Sequence, residues 1–179
     1  TRDSVMNALP STQTLPTAEA SRSAGGIVHS VGIAGLKVVR APDRIRTVLG
    51  SCVGIAVYDR VAKLGALGHV ILPDSKEGSG DPGKFADTAV DMLMEMLVEE
   101  GADRKRIKAK IAGGAAMFAT ATQNGLGDRN VAAVRARLEH HSIRLIASAV
   151  GGTRGRKMML DPGSGDVLVE IIGEAPECI

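Results

Sequence analysis

Short apolar segments with a two-residue period recur along most of the chain and are separated by glycine, proline and aspartate. Such alternation is typical of β-strands. The predicted strands are residues 27–33, 36–39, 45–49, 53–58, 64–72, 107–112, 143–150, 156–160 and 167–172. Strand 53–58 alternates large apolar residues with Gly54 and Ala56, so one of its faces would let a neighbouring element approach closely.

Two segments have helical spacing instead. Apolar residues recur every three to four positions over residues 85–97, and Gly101 is a stop signal for that helix. A second helix is predicted over residues 131–141, with Asp128 or Asn130 as its N-cap. Strands outnumber helices, so we expect a mixed α/β or α+β domain with one substantial sheet or sandwich and at least two helices.

The first part of the chain has a different composition. Residues 1–26 are rich in Ser, Thr, Ala, Pro and Gly and show no periodic apolar pattern, which predicts a flexible N-terminal tail. The whole chain has 179 residues, of which 44% are hydrophobic and 23% charged. These values fit one core, so we expect residues 27–179 to form a single domain.

Composition argues against several classes of function. The net charge is only +2, both signs are interspersed, and aromatic residues make up 2%, which disfavours nucleic-acid binding. No apolar run reaches the roughly 18 to 20 residues of a membrane span, and no signal peptide is visible, so we expect a cytoplasmic protein without membrane insertion. Metal-ligand spacings such as Cys-x-x-Cys are absent from the sequence, and no metal site is expected.

Cys52 and His69 are the candidate chemical groups. A thiol and an imidazole brought together are the minimum for nucleophilic attack on a carbonyl. Taken alone, a cysteine in a strand is more often a small buried residue, and a half-buried histidine is often satisfied by a backbone carbonyl. The Gly50–Ser51 bend before the cysteine is where backbone N–H groups could turn outward and hold an oxyanion.

The pairing of the two strands decides whether these groups meet. In a hairpin register where paired residue numbers sum to 121, Cys52 lies directly opposite His69, with Cβ atoms about 4.5–5.5 Å apart. A register shifted by one residue puts them on opposite faces. A neighbouring histidine would also lower the pKa of the thiol. The residues therefore predict a Cys–His site for acyl transfer or amide hydrolysis, with the substrate left open.

At these residues the sequence resembles the CheD family, the chemoreceptor glutamine deamidases of bacterial chemotaxis. The similar segments run in family order over roughly residues 30–172. They are LGSCVG (49–54), GHVILP (68–73), KFADTA (84–89), KIAGGAAMF (110–118), GDRN (127–130) and GGTR (151–154).

The resemblance implies a fold, an activity and a site. The fold would be similar to that of the cytotoxic necrotizing factor deamidase toxins, an α/β arrangement built on a β-sandwich. The activity would be conversion of receptor glutamine side chains to glutamate with release of ammonia, without a cofactor. Cys52 would be the nucleophile and His69 the base, and Thr47, or a backbone carbonyl, would orient the imidazole.

Two partners follow from the same resemblance. The substrate would be the cytoplasmic helical domain of a chemoreceptor. CheD relatives in some bacteria also bind a CheC-type phosphatase. An alternative function is therefore a non-catalytic module that docks such a phosphatase and regulates adaptation.

Overall fold

The computed structural model describes residues 22–23, 25–117 and 125–179. Within them the chain forms strands at β1 (Arg22–Ser23), β2 (Gly26–Ser30), β3 (Leu36–Arg40), β4 (Arg44–Leu49), β5 (Val53–Asp59), β6 (Leu64–Val70), β7 (Lys108–Gly113), β8 (Arg144–Val150), β9 (Arg156–Asp161), β10 (Asp166–Ile171) and β11 (Glu177–Cys178). The α-helices are α1 (Ala86–Glu99) and α2 (Leu126–His140). Short 3-10 helices cover Ser75–Glu77 and Pro82–Lys84.

The strands form two sheets that pack on each other. One sheet has the order β1-β2-β4-β9-β10-β11, and the other has the order β3-β6-β5-β7-β8. Apolar side chains from both sheets share one core, and a second core lies between the five-stranded sheet and the two helices. The layers are therefore sheet, sheet and helices. The predicted mixed α/β fold, with a sandwich-like core and flanking helices, is confirmed; similarity to the necrotizing factor toxins stays a prediction.

Strand β5 is buried along its whole length because it lies at the centre of the five-stranded sheet. Its large apolar residues, such as Ile55, pack in the helix-side core, and Ala56 packs in the core between the sheets. A Cβ atom on Gly54 would lie 2.7 Å from the Met158 sulfur. The predicted close approach on the small-residue face is confirmed.

The β5–β6 register was left open by the sequence. Gly54 pairs with His69, so paired numbers sum to 123 and Cys52 does not lie directly opposite His69. The connecting turn sets this register, because the Asp59 carboxylate accepts hydrogen bonds from the N–H groups of Val61 and Ala62. A shift of two residues preserves the face, so Cys52 and His69 still lie on the same side of the sheet.

Helix α2 begins earlier than predicted. Its N-cap is Gly125, and both predicted caps lie inside the helix. Asp128 is in the first turn, where a negative charge complements the helix dipole. Asn130 is fully buried and donates a hydrogen bond to the Ile71 carbonyl, so its side chain is not used for capping.

The predicted tail lies mostly outside the described residues. Residues 1–21 and 24 are not described, while Arg22 and Ser23 pair with the start of β2. The tail at residues 1–26 therefore stays a prediction. Neither helix in the described part of the chain is long and apolar enough to cross a membrane.

Candidate active site

Cys52 lies in the bend between β4 and β5 and is partly buried against the core between the sheets. Two backbone bonds hold the bend: Gly114 N–H donates to the Cys52 carbonyl at 2.8 Å, and Ala115 N–H donates to the Gly50 carbonyl at 2.9 Å. Gly113 has a φ of +109°, and a Cβ there would lie 2.2 Å from the Cys52 carbonyl oxygen. Glycine at this position thus allows the end of β7 to support the cysteine.

His69 is held from the other sheet. Its Nδ1 lies 2.8 Å from the Thr47 hydroxyl, and that hydroxyl lies 2.8 Å from the Val31 carbonyl oxygen. A carbonyl can only accept, so the single hydroxyl hydrogen of Thr47 is donated to Val31. Thr47 must then accept a hydrogen bond from His69 Nδ1–H, which leaves the Nε2 lone pair available as a base.

The three predicted site residues come together, but the thiol and the imidazole are not yet in contact. Cys52 is two residues before Gly54, the direct partner of His69, and is therefore its diagonal neighbour on the same face. Such neighbours are about 7–8 Å apart. His69 Nε2 is buried and has no hydrogen-bond partner among the described residues. Catalytic hydrogen bonds are often long or unformed in a free enzyme and become shorter when the substrate binds.

Burial shapes the electrostatics of both groups. It raises the pKa of the Cys52 thiol, although the Cys52 backbone N–H acts in the opposite direction. It also lowers the pKa of His69. The prediction that the histidine lowers the pKa of the thiol is therefore wrong for the free protein, because desolvation dominates. Both shifts favour the neutral thiol and the neutral imidazole over the charged pair.

Two cavities lie beside the candidate residues, one next to His69 and one next to the cysteine bend. One, of about 350 Å³, is lined by His69, Ile33 and Val48, and the other, of about 220 Å³, is lined by Ser51 and Met117. The side chains of Ile33 and Val48 are about two-thirds exposed. Ile33 and Val48 therefore present apolar surface to solvent beside the imidazole.

Other polar residues have structural partners. His141 contacts Asp91 and Arg104, and His29 contacts Asp43. Among the described residues no group of three or more His, Cys, Asp or Glu could hold a metal ion.

Asn130, which the sequence suggested only as a helix cap, contacts the segments of both candidate residues through the Ser51 and Ile71 carbonyls. The polar residue at the end of the GDRN segment is the signal in the sequence. Which carbonyl groups Asn130 contacts depends on how α2 packs against the sheet.

Comparison with known proteins identifies the group to which the chain is similar. The family described as "CheD chemotactic sensory transduction" matches residues 71–171. That match begins after Cys52 and His69 and includes neither residue. A crystal structure of a Neisseria meningitidis protein of the DUF152 family is similar over 65% of this chain and 53% of that chain, with 12% identity and a TM-score of 0.43.

Curated relatives are more similar and cover most of their own length. A protein of Symbiobacterium thermophilum is 47% identical over 154 residues, which is 82% of this chain and 93% of that protein. One from Syntrophomonas wolfei is 42% identical over 158 residues, covering 85% and 98% of the two chains. Both are named "Probable chemoreceptor glutamine deamidase CheD". Extensive identity over nearly the whole length of these relatives shows that the chain belongs to the CheD family.

Proposed function

We propose that this chain is a protein-glutamine deamidase that converts glutamine side chains of chemoreceptors to glutamate and releases ammonia. The observation that carries the proposal is the hydrogen bond between Thr47 and His69 Nδ1. It leaves Nε2 as the free base on the face of the sheet that also carries Cys52. The names of the curated relatives support the same activity and substrate.

The first half of the reaction forms a thioester. His69 Nε2 takes the proton of the Cys52 thiol as the sulfur attacks the side-chain amide carbon of the substrate. The amide oxygen becomes an oxyanion, and the Cys52 backbone N–H stabilises it. The carbon–nitrogen bond then breaks, and the imidazolium gives its proton to the leaving nitrogen, which departs as ammonia.

The second half hydrolyses the thioester. His69 Nε2 removes a proton from water, which attacks the acyl carbon, and the same N–H again holds the oxyanion. Collapse breaks the carbon–sulfur bond and returns the proton to the sulfur, so glutamate and the free thiol are produced. Thr47 keeps the imidazole in one tautomer and orientation throughout. Neither half-reaction needs a metal or an organic cofactor.

The surroundings of the site suit a protein substrate. Ile33 and Val48 are exposed beside His69, and Met117 is exposed beside the cysteine bend. A receptor helix could cover these apolar side chains while one glutamine reaches Cys52. Because that helix belongs to the cytoplasmic domain of a receptor, a cytoplasmic location is part of the proposal.

The test is mass spectrometry of a purified receptor cytoplasmic fragment after incubation with the enzyme, together with an assay of ammonia. Wild type should convert specific glutamines to glutamates. Cys52→Ala and His69→Ala should remain folded and release no ammonia. Substantial deamidase activity in the Cys52→Ala variant would contradict the assignment of Cys52 as the nucleophile.

The competing function is docking of a CheC-type phosphatase. It predicts no deamidation by wild type, together with stimulation of the phosphatase that persists in Cys52→Ala. Wild type and Cys52→Ala therefore distinguish the two functions, because only the deamidase function depends on the thiol.

A further inference from the structure

Asn130 contacts both segments of the candidate site from the helix layer. Its side chain is fully buried on α2, and its Nδ2 lies 2.8 Å from the Ile71 carbonyl oxygen and 3.4 Å from the Ser51 carbonyl oxygen. Ser51 immediately precedes the nucleophile, and Ile71 follows His69 by two residues. No step of the proposed reaction uses this side chain.

The backbone of the cysteine bend shows what such a contact can do. The carbonyl groups of residues 50–52 accept hydrogen bonds from Ala115 N–H, Asn130 Nδ2 and Gly114 N–H, in that order. In a trans peptide the C=O and N–H groups point in opposite directions. The Ser51–Cys52 peptide, whose carbonyl faces Asn130, therefore directs its N–H away from α2.

That direction is the side of the sheet that carries the reactive groups. The Cys52 side chain packs toward the core between the sheets, on the face opposite the helices. The Cys52 N–H and the thiol belong to the same residue, so the N–H lies near the sulfur. Donors held near the nucleophile in this way can bind the oxyanion that forms beside it.

We propose that Asn130 is a positioning residue for the deamidation reaction, whose side-chain amide orients the Ser51–Cys52 peptide so that the Cys52 N–H faces the oxyanion. The inference rests on the proposed deamidase function and deepens it. The other two bonds to the bend come from the backbone of the residues after β7. Asn130 adds a side-chain hydrogen bond to the bend. The same side chain also contacts the Ile71 carbonyl, in the segment after His69.

The residue type fits this role. A primary amide offers two N–H donors without charge, so it can serve carbonyl oxygens in a buried place. An ionised aspartate at this position would face two carbonyl oxygens with acceptor groups only. It would suit the site only when protonated, because the acid then has one O–H donor. Alanine would leave both carbonyls without this donor.

The test is steady-state kinetics with a receptor fragment, comparing wild type with Asn130→Ala. We expect kcat to fall by about 10- to 100-fold, since loss of one oxyanion donor costs about 10²–10³ and here the donor is displaced, not removed. KM should change little. Alkylation of Cys52 by iodoacetamide should keep its wild-type rate, because displacement at a saturated carbon forms no oxyanion.

Val134→Ala is the matched control, because Val134 lies one turn further along the buried face of α2 and its apolar side chain packs in the helix-side core without a hydrogen-bonding group. It should lower the urea midpoint and keep kcat. If Asn130→Ala does not fold, the pH dependence of kcat in Asn130→Asp tests the positioning role instead. The kcat of this variant relative to wild type should rise as the pH falls, since the protonated acid regains a donor.

The outcomes separate the two proposals. A wild type without deamidase activity would overturn the proposed function. An active wild type with unchanged kcat in folded Asn130→Ala, or a pH-independent ratio for Asn130→Asp, would overturn the positioning role alone. An equal loss of alkylation rate and kcat would also overturn it, since that result indicates general damage to the bend.

Discussion

The Thr47 hydroxyl, on the six-stranded sheet, lies 2.8 Å from Nδ1 of His69, on the five-stranded sheet. The imidazole is thus oriented by a residue from the opposite layer of the sandwich. Its direction depends on how the two sheets pack, and the Val31 carbonyl in turn fixes the direction of the hydroxyl. Both residues are buried, so this small network is shielded from competition by water.

Replacing Thr47 by valine should lower kcat at least about 10-fold, because the imidazole can then adopt the wrong tautomer. Thr47→Ser keeps the hydroxyl and should retain most of the activity. The measurement is the rate of ammonia release from receptor. Valine also leaves the Val31 carbonyl without its donor, which should cost about 1 kcal/mol in the free energy of unfolding. Equal rates for the valine and serine variants would exclude the orienting role.

The acid limb of kcat/KM should lie below pH of about 6.5, the ordinary histidine value. Burial lowers the pKa of His69, so a lower pH is needed to protonate the imidazole and remove the base. The check is the pH dependence of deamidation at low substrate concentration. An acid limb centred above that value would show that an ion pair stabilises the protonated ring.

Alkylation of Cys52 in the free enzyme should increase mainly above pH of about 8.5, the ordinary thiol value. Burial raises the pKa of this thiol, so little thiolate exists near neutrality. The measurement is the rate of iodoacetamide labelling of Cys52 as a function of pH, with labelling of the exposed Cys178 as the internal comparison. A plateau already reached at pH 7 would indicate a preformed thiolate–imidazolium pair.

Gly113→Ala should abolish most of the deamidase activity. Its Cβ would lie 2.2 Å from the Cys52 carbonyl oxygen, so the cysteine bend must move. Gly151→Ala is the control, because Gly151 also has a positive φ, +80°, but nothing lies within 4 Å of its added Cβ. Both should lose about 1–2 kcal/mol of stability from backbone strain. Gly113→Ala should lose more, because its Cβ also meets the carbonyl oxygen, and only this variant should lose activity. Similar activities for the two would show that the bend tolerates displacement.

The Asp59 carboxylate should increase the free energy of unfolding at neutral pH, and this stabilisation should disappear in acid. Burial alone would raise its pKa, but hydrogen bonds from Arg106 and from backbone N–H groups, including that of Asp103, lower it to about 2. Since this lies below the unfolded value of about 3.9, the stabilisation of about 2 kcal/mol is present above that value and is lost as pH falls through 2.

Urea midpoints between pH 7 and pH 2 test this for Asp59→Asn. The variant should be less stable than wild type at pH 7, and the difference should shrink in acid. Asp103→Asn is the control, because that carboxylate bonds to the same arginine but is 45% exposed. A loss of stability as large in the control as in Asp59→Asn would contradict the importance of burial.

The sequence by itself determined the element types and singled out Cys52 and His69 as the candidate pair. Alternation over residues 53–58 and helical spacing over 85–97 reflect which side chains are buried, and these patterns are local. The same local period allows Cys52 and His69 to share one face, but it left the pairing register open, and the observed register is two residues away from direct pairing of the two.

Tertiary structure alone decided the features that depend on residues far apart in the chain. The register follows from the turn bonds of Asp59, the orientation of His69 follows from the packing of Thr47 across the sheets, and the cysteine bend is contacted by Asn130 from α2. The directions of the pKa shifts also depend on burial in the folded protein. Local periodicity cannot specify these contacts, because each requires distant segments to pack in one particular arrangement.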